Sequence, residues 1–159
     1  MLFRSQVEPL LAIVQALGLP LLRITGVEAD DVIGTLARRA ANAGRRVLIS
    51  TGDKDMAQLV GAQITIVNTM TDSRYDRDGV KAKFDVWPEQ IVDYLALIGD
   101  ASDNIPGIDK VGPKTAAKWL GQYGTLDAIV ERRDELTGKV GENLRAGLDR
   151  KSTRLNSSH

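Results

Sequence analysis

Seven carboxylates fall into three short clusters: Glu28, Asp30 and Asp31; then Asp53 and Asp55; then Asp100 and Asp103. A glycine accompanies each (Gly26, Gly52 and Gly99). Gathering like charge destabilises a fold unless a cation neutralises it. An all-oxygen, acidic donor set suits the hard ions Mg²⁺ or Mn²⁺ and not zinc. The commonest chemistry at such a centre is phosphoryl transfer or phosphodiester hydrolysis.

The elements that must position these acids can be read from hydrophobic periodicity. Residues 9–17 form an apolar helical run stopped by Gly18, and residues 20–24 read as a short buried strand. Residues 30–43 form an amphipathic helix with Val32, Ile33, Leu36, Ala37 and Ala40 on one face. Residues 46–50 are the clearest strand, a short helix covers 55–60, and residues 64–67 are a third strand. Strands alternating with helices over short connections predict a parallel α/β sheet. Residues 71–79 are polar and turn-like, and from Val80 onward the pattern predicts helices alone, over 80–84, 88–98, 114–123, 126–133 and 140–148. Residues 1–79 thus form an α/β part and 80–148 an all-α part.

In a parallel sheet, ligands bind beyond the carboxyl ends of the strands. Glu28, Asp30 and Asp31 follow the first expected strand, and Asp53 and Asp55 the second, so both clusters are expected at one rim. Capping competes with this reading, because acids favour first helical turns without doing chemistry. Two clusters at one rim, each with more acids than a cap requires, favour a metal centre. Asp100 and Asp103 end an apolar helix, where the backbone dipole disfavours anions; a second metal explains them better than a solvated turn does.

Residues 103–116 carry Pro106, Gly107, Gly112 and Pro113 together with Lys110 and Lys114, with Lys118 one turn further on. Glycines and a helix N-terminus let the backbone approach a phosphate closely, and the lysines supply charge. This has the form of a helix–hairpin–helix, which grips a sugar-phosphate backbone without reading bases. The spacing excludes a P-loop.

Composition narrows the classes. The 159 residues suffice for one domain with a core, and 43% are hydrophobic. There is no cysteine, so neither a disulfide framework nor a thiolate site is possible. No apolar run reaches membrane-spanning length, and the start lacks a signal-peptide pattern; a cytoplasmic protein without a membrane partner is expected. With 21 basic and 21 acidic residues, bulk charge does not announce a nucleic-acid binder. Residues 149–159 abandon the apolar periodicity, hold the only histidine, His159, and look like the translation of a sequencing adapter. They are set apart from the fold.

Three stretches, 26–31, 48–60 and 96–115, occur in order. Through them residues 5–148 resemble the 5′ nuclease (flap endonuclease-like) family, and within it the 5′→3′ exonuclease domains of bacterial DNA polymerase I enzymes. The resemblance implies a PIN/5′ nuclease-like α/β core followed by a helix–three-turn–helix. It implies two Mg²⁺ or Mn²⁺ ions that activate a water to attack DNA at 5′ flaps, nicks or duplex ends, in primer and flap removal during replication and repair. Glu28, Asp30 and Asp31 would serve the first metal, and Asp53, Asp55, Asp100 and Asp103 the second, with Asp31, Asp53 and Asp100 as catalytic carboxylates. Gly107, Lys110, Val111, Gly112, Lys114, Thr115 and Lys118 would clamp duplex DNA, with K⁺ bound at the turn carbonyls. A monomer at the bacterial nucleoid is implied.

The family's first strand, with its metal-binding aspartate, and its basic arch have no counterpart here, so impaired cleavage is expected. Two rival readings remain: a DNA-binding module without catalysis, and an unrelated phosphotransfer enzyme using Asp30 and Asp31. The second leaves residues 100–114 without a purpose.

Overall fold

The computed structural model describes the backbone of residues 4–101 and 104–156 and the side chains of residues 5–101 and 104–147. The backbone groups into two compact units, Met1–Val32 and Ile33–His159.

The first unit holds helix α1 (Arg4–Ala16) and the opening turn of α2 (Ala29–Asn42). Helix α1 starts ahead of Pro9 and carries it inside, although proline cannot donate to the carbonyl of Ser5. The strand expected over 20–24 does not form. A strand needs a neighbour for its backbone hydrogen bonds; this segment has none among the described residues, and Leu22 and Ile24 are exposed.

The second unit contains a three-stranded sheet in the order β1 (Val47–Ser50), β2 (Ile64–Asn68), β3 (Ser73–Tyr75). β1 and β2 are parallel, with Val47 opposite Ile64 and Ser50 opposite Val67. β3 is antiparallel to β2, pairing Tyr75 with Ile66 and Ser73 with Asn68. The sheet is therefore mixed, not wholly parallel, and the stretch read as a polar turn supplies its third strand. Asn68 makes the hairpin: its Oδ1 accepts from the amides of Met70 at 3.0 Å and Thr71 at 3.3 Å. This reversal is local side-chain chemistry of the kind that lets asparagine mimic a backbone turn.

The helical elements follow as expected. A 3₁₀ turn spans Asp55–Leu59, then come α3 (Arg77–Phe84), a 3₁₀ turn Pro88–Gln90, α4 (Ile91–Ile98), α5 (Pro113–Tyr123), α6 (Leu126–Glu131), a 3₁₀ turn Arg133–Glu135 and α7 (Gly138–Asn156). Asp76 caps α3 by accepting from Gly79 N at 2.9 Å, and Thr125 caps α6 through Ala128 N at 3.2 Å. Helix α7 runs on past residue 148 to Asn156. The core joins both faces of this architecture: Ile49 and Ile66 from the sheet pack in one cluster with Val80, Leu97, Leu120, Ile129 and Leu144 from the helices. Gln90 ties the helices together, donating to the carbonyls of Leu120 at 3.1 Å and Gly124 at 2.8 Å, while Asp93 accepts from Leu126 N at 2.9 Å.

Candidate metal centre and nucleic-acid interface

β1 ends at Ser50, and the chain turns at once into the loop that carries Asp53, Lys54 and Asp55. Thr51 holds the loop to the sheet: its amide donates to Val67 O at 3.0 Å, and its Oγ1 accepts from Asp53 N at 3.0 Å. Asp53 Oδ1 accepts from Asp55 N at 2.9 Å, which starts the following 3₁₀ turn. Asp53 is exposed, while Asp55 is half-buried with its Oδ1 out of solvent. A cleft of about 300 Å³ opens beside this loop, lined among others by Asn68, Ser73, Tyr75, Lys83 and Phe84.

Asp100 arrives from a separate element. α4 ends at Gly99, and the next carboxylate is buried, 8% exposed. Its backbone is fixed on both sides: Asp100 N donates to Ile105 O at 2.8 Å, and Ile105 N donates to Asp100 O at 2.8 Å. Its side chain meets Lys54, with Nζ 2.7 Å from Oδ2. An anion beyond a helix C-terminus is locally unfavourable, and here the ammonium offsets it.

Lys54 thus ties the Asp53–Asp55 loop to Asp100. Its pKa is raised from the ordinary 10.5, first by the hydrogen bond to Asp100, with desolvation opposing and the charges of Asp100, Asp55 and Asp53 adding. Tyr94 lies in the same field: burial raises its hydroxyl pKa and Lys54 works against that rise. Lys54 was in plain view between two aspartates, and sequence reasoning assigned it no role. The available signal was a single basic residue inside an acidic motif.

Glu28 precedes α2, and Asp30 and Asp31 lie in its first turn; all three are exposed. They belong to the first unit, and the strand that was to carry them to the sheet rim is not formed. Among the described residues, no group of three or more acidic, histidine or cysteine side chains is gathered closely enough to cage a metal ion. Asp103 lies outside the described residues. Asp53, Asp55 and Asp100 offer hard carboxylate oxygens, but they are not gathered closely enough to hold an ion, and one Asp100 oxygen meets the Lys54 ammonium.

The turn between α4 and α5 is built on close backbone contact. Gly99 (φ +83°) and Gly107 (φ +63°) pack on each other: a Cβ at Gly107 would stand 2.5 Å from Gly99 N and 2.7 Å from Ile98 O. Gly107 therefore has a packing reason for lacking a side chain, independent of any ligand. Val111 is buried, 5% exposed, so its side chain belongs to the core and only its backbone could meet DNA. Gly112 caps α5, with Pro113 at the first helical position. Lys110, with φ +63°, Lys114 and Lys118 are exposed, and Thr115 is half-buried. Among the described residues none of these lysines has an acidic partner within 4.0 Å. The carbonyls of Ile108, Asp109 and Gly112 accept hydrogen bonds from Val111, Asn143 and Ala116. Among the described residues, no helix is long and apolar enough to cross a membrane.

Two domain families match and together cover nearly the whole chain. The 5′-3′ exonuclease N-terminal resolvase-like domain matches residues 2–85, and the 5′-3′ exonuclease C-terminal SAM fold matches residues 86–156. DNA polymerase I of Pseudomonas aeruginosa is 63% identical over 150 residues, covering 92% of this chain and 16% of that protein. The 5′-3′ exonuclease of Aquifex aeolicus is 44% identical over 128 residues, covering 80% of this chain and 44% of that protein. Among solved structures, a mutant bacteriophage T5 5′-exonuclease superposes with a TM-score of 0.70 at 26% identity, covering 80% of this chain and 53% of that one. The T5 flap endonuclease in a pseudo-enzyme–product complex with DNA and metal ions gives a TM-score of 0.78 at 23% identity, covering 89% and 53%. The chain thus spans about a sixth of the polymerase and under half of the Aquifex exonuclease.

Proposed function

Because this chain belongs to the 5′-3′ exonuclease family, we propose that it carries the metal-binding and duplex-gripping parts of a 5′→3′ exonuclease and 5′-flap endonuclease acting on DNA in replication and repair. One observation supports the reading: Asp100 at the end of α4 and Lys54 inside the Asp53–Asp55 loop are brought together from separate elements in a 2.7 Å ion pair. Asp53, Asp55 and Asp100, with Asp103, would hold one divalent ion, and Glu28, Asp30 and Asp31 a second; Mg²⁺ or Mn²⁺ suits both donor sets. Two such ions, when bound, would lower the pKa of an attacking water and stabilise charge on the scissile phosphate.

The protein's own part is to place the duplex. Lys110, Lys114 and Lys118 would present charge to phosphates without reading bases, at and beside the N-terminus of α5. The turn carbonyls would hold K⁺ there. The molecule acts as a monomer, residues 1–79 contributing to the nuclease core and 80–148 to DNA binding.

A second reading is favoured by the described acids not closing into a cage: the chain binds duplex DNA and cleaves it poorly or not at all. An end-labelled 5′-flap duplex, incubated with Mg²⁺, Mn²⁺ or EDTA, separates the two. Metal-dependent cutting at the junction that Asp100→Asn removes, with DNA binding retained, supports the nuclease. Binding without cutting supports the second reading, and neither binding nor cutting overturns both.

A further inference from the structure

The cleft of about 300 Å³ lies beyond the carboxyl ends of the parallel strands β1 and β2: Thr51 and Gly52 leave the first strand, and Asn68 ends the second. Ligands of α/β sheets collect at such a rim, and the volume is at the lower end for small-molecule sites. Part of the lining is apolar, from Ile66 and the half-buried rings of Tyr75 and Phe84. The rest offers donors. Asn68 Oδ1 is occupied by the amides of Met70 and Thr71, while its Nδ2 has no acceptor among the described residues. That nitrogen stands 3.6 Å from where a Cβ on Gly52 would be, so the bare glycine leaves room beside it. Thr51 Oγ1 accepts from Asp53 N and keeps its own proton to donate. Lys83 is exposed and has no acidic partner within 4.0 Å among the described residues.

We propose that this cleft binds a nucleoside 5′-monophosphate. Lys83 and Asn68 Nδ2 donate to the phosphate, where a charged acceptor strengthens both bonds. The base lies against Tyr75 and Phe84, whose rings can stack on any base. Asp53, the carboxylate in the described lining, accepts from a sugar hydroxyl. Both halves of the lining are needed for this ligand: an anion site alone requires no rings, and an apolar slot alone requires no lysine. The inference rests on the nuclease reading above only for the source of the nucleotide, because shortening a strand from its 5′ end sets mononucleotides free. Binding itself requires neither metal nor duplex.

The test follows backbone amide shifts of the full chain by NMR, in EDTA, as deoxyadenosine 5′-monophosphate is titrated in. Inorganic phosphate and deoxyadenosine are titrated separately. The nucleotide should give saturable shifts gathered at Thr51, Gly52, Asn68, Ser73 and Lys83, and each half-ligand should bind more weakly. Lys83→Met should weaken nucleotide binding about tenfold, as expected for one lost hydrogen bond to a charged group. Gly52→Leu adds bulk beside Asn68 at a backbone position outside the left-handed region, and should abolish binding. Should Gly52→Leu disturb the fold, the exposed Lys83→Met decides alone. Phosphate binding as tightly as the nucleotide marks an anion site only, and deoxyadenosine binding as tightly marks an apolar slot. Shifts gathered at residues 110–118 place the nucleotide on the lysine-bearing turn. Each of these overturns the inference, as does no binding at all. None of them touches the nuclease reading, which stands or falls by the flap-duplex assay.

Discussion

Gly107 stands so close against Gly99 that a single added carbon on it would lie 2.5 Å from the Gly99 nitrogen. This contact joins the end of α4 to the turn before α5, and so couples the placement of Asp100 to the lysine-bearing helix. Gly107→Ala meets backbone, which cannot give way as a flexible side chain would, and φ at +63° adds strain. The expected loss is about 2–3 kcal/mol, read as a lower urea midpoint at unchanged slope.

Leu97 on α4 is fully buried, at 0% exposure, in the cluster that joins sheet and helices. Leu97→Ala should cost about 2–5 kcal/mol through lost burial and the cavity left behind. Leu48, on β1 and 59% exposed, is the contrast. Leu48→Ala should stay within about 0.5 kcal/mol of the parent. Chemical denaturation of both variants checks the pair.

Arg77 forks onto both oxygens of Glu89 at 2.9 and 3.0 Å and lies 5.3 Å over the Trp87 ring. The hydrogen bond from Arg77 lowers the Glu89 pKa below its ordinary 4.5. A depressed carboxyl adds stability that is present above its unfolded pKa and lost as pH falls through the folded value. Glu89→Gln should therefore be slightly less stable than the parent at pH 7. The difference should shrink as pH falls below 4.5 and vanish once it is below the folded value, where both proteins carry a neutral side chain. Both partners are solvent-exposed, so the effect is small and should shrink in salt.

Lys114 lies in the first turn of α5, where a positive charge opposes the helix dipole. Lys114→Ala should leave stability nearly unchanged, weaken duplex binding to a similar degree for every sequence, and reduce the salt slope of the binding constant by about 1. Fluorescence anisotropy over a salt series, with two unrelated duplexes, reads both quantities.

Much of this was legible in the chain. Alternating apolar runs located β1, β2 and most helices, because periodicity records which face is buried. Three acidic motifs in order identified the family. Pairing partners were less legible. The 20–24 segment is as apolar as a strand, yet a strand is defined by a neighbour, and no neighbour is there among the described residues. β3 escaped notice because Ser73, Arg74 and Tyr75 form a short, polar edge whose identity depends on the Asn68 turn folding it back onto β2.

Residue types alone determined which chemistry was available: hard-oxygen acids for divalent ions, exposed lysines and a glycine-rich turn for phosphate. Tertiary structure decided which acids meet and what balances them. The Asp53–Asp55 loop meets Asp100 because α4 and the loop after β1 converge at the Lys54–Asp100 ion pair. Glu28, Asp30 and Asp31 stay in the first unit. The physical reason is range. Periodicity and capping act over a few residues and are written locally, whereas an ion pair between positions 54 and 100 exists only once the core has brought two distant segments within 2.7 Å.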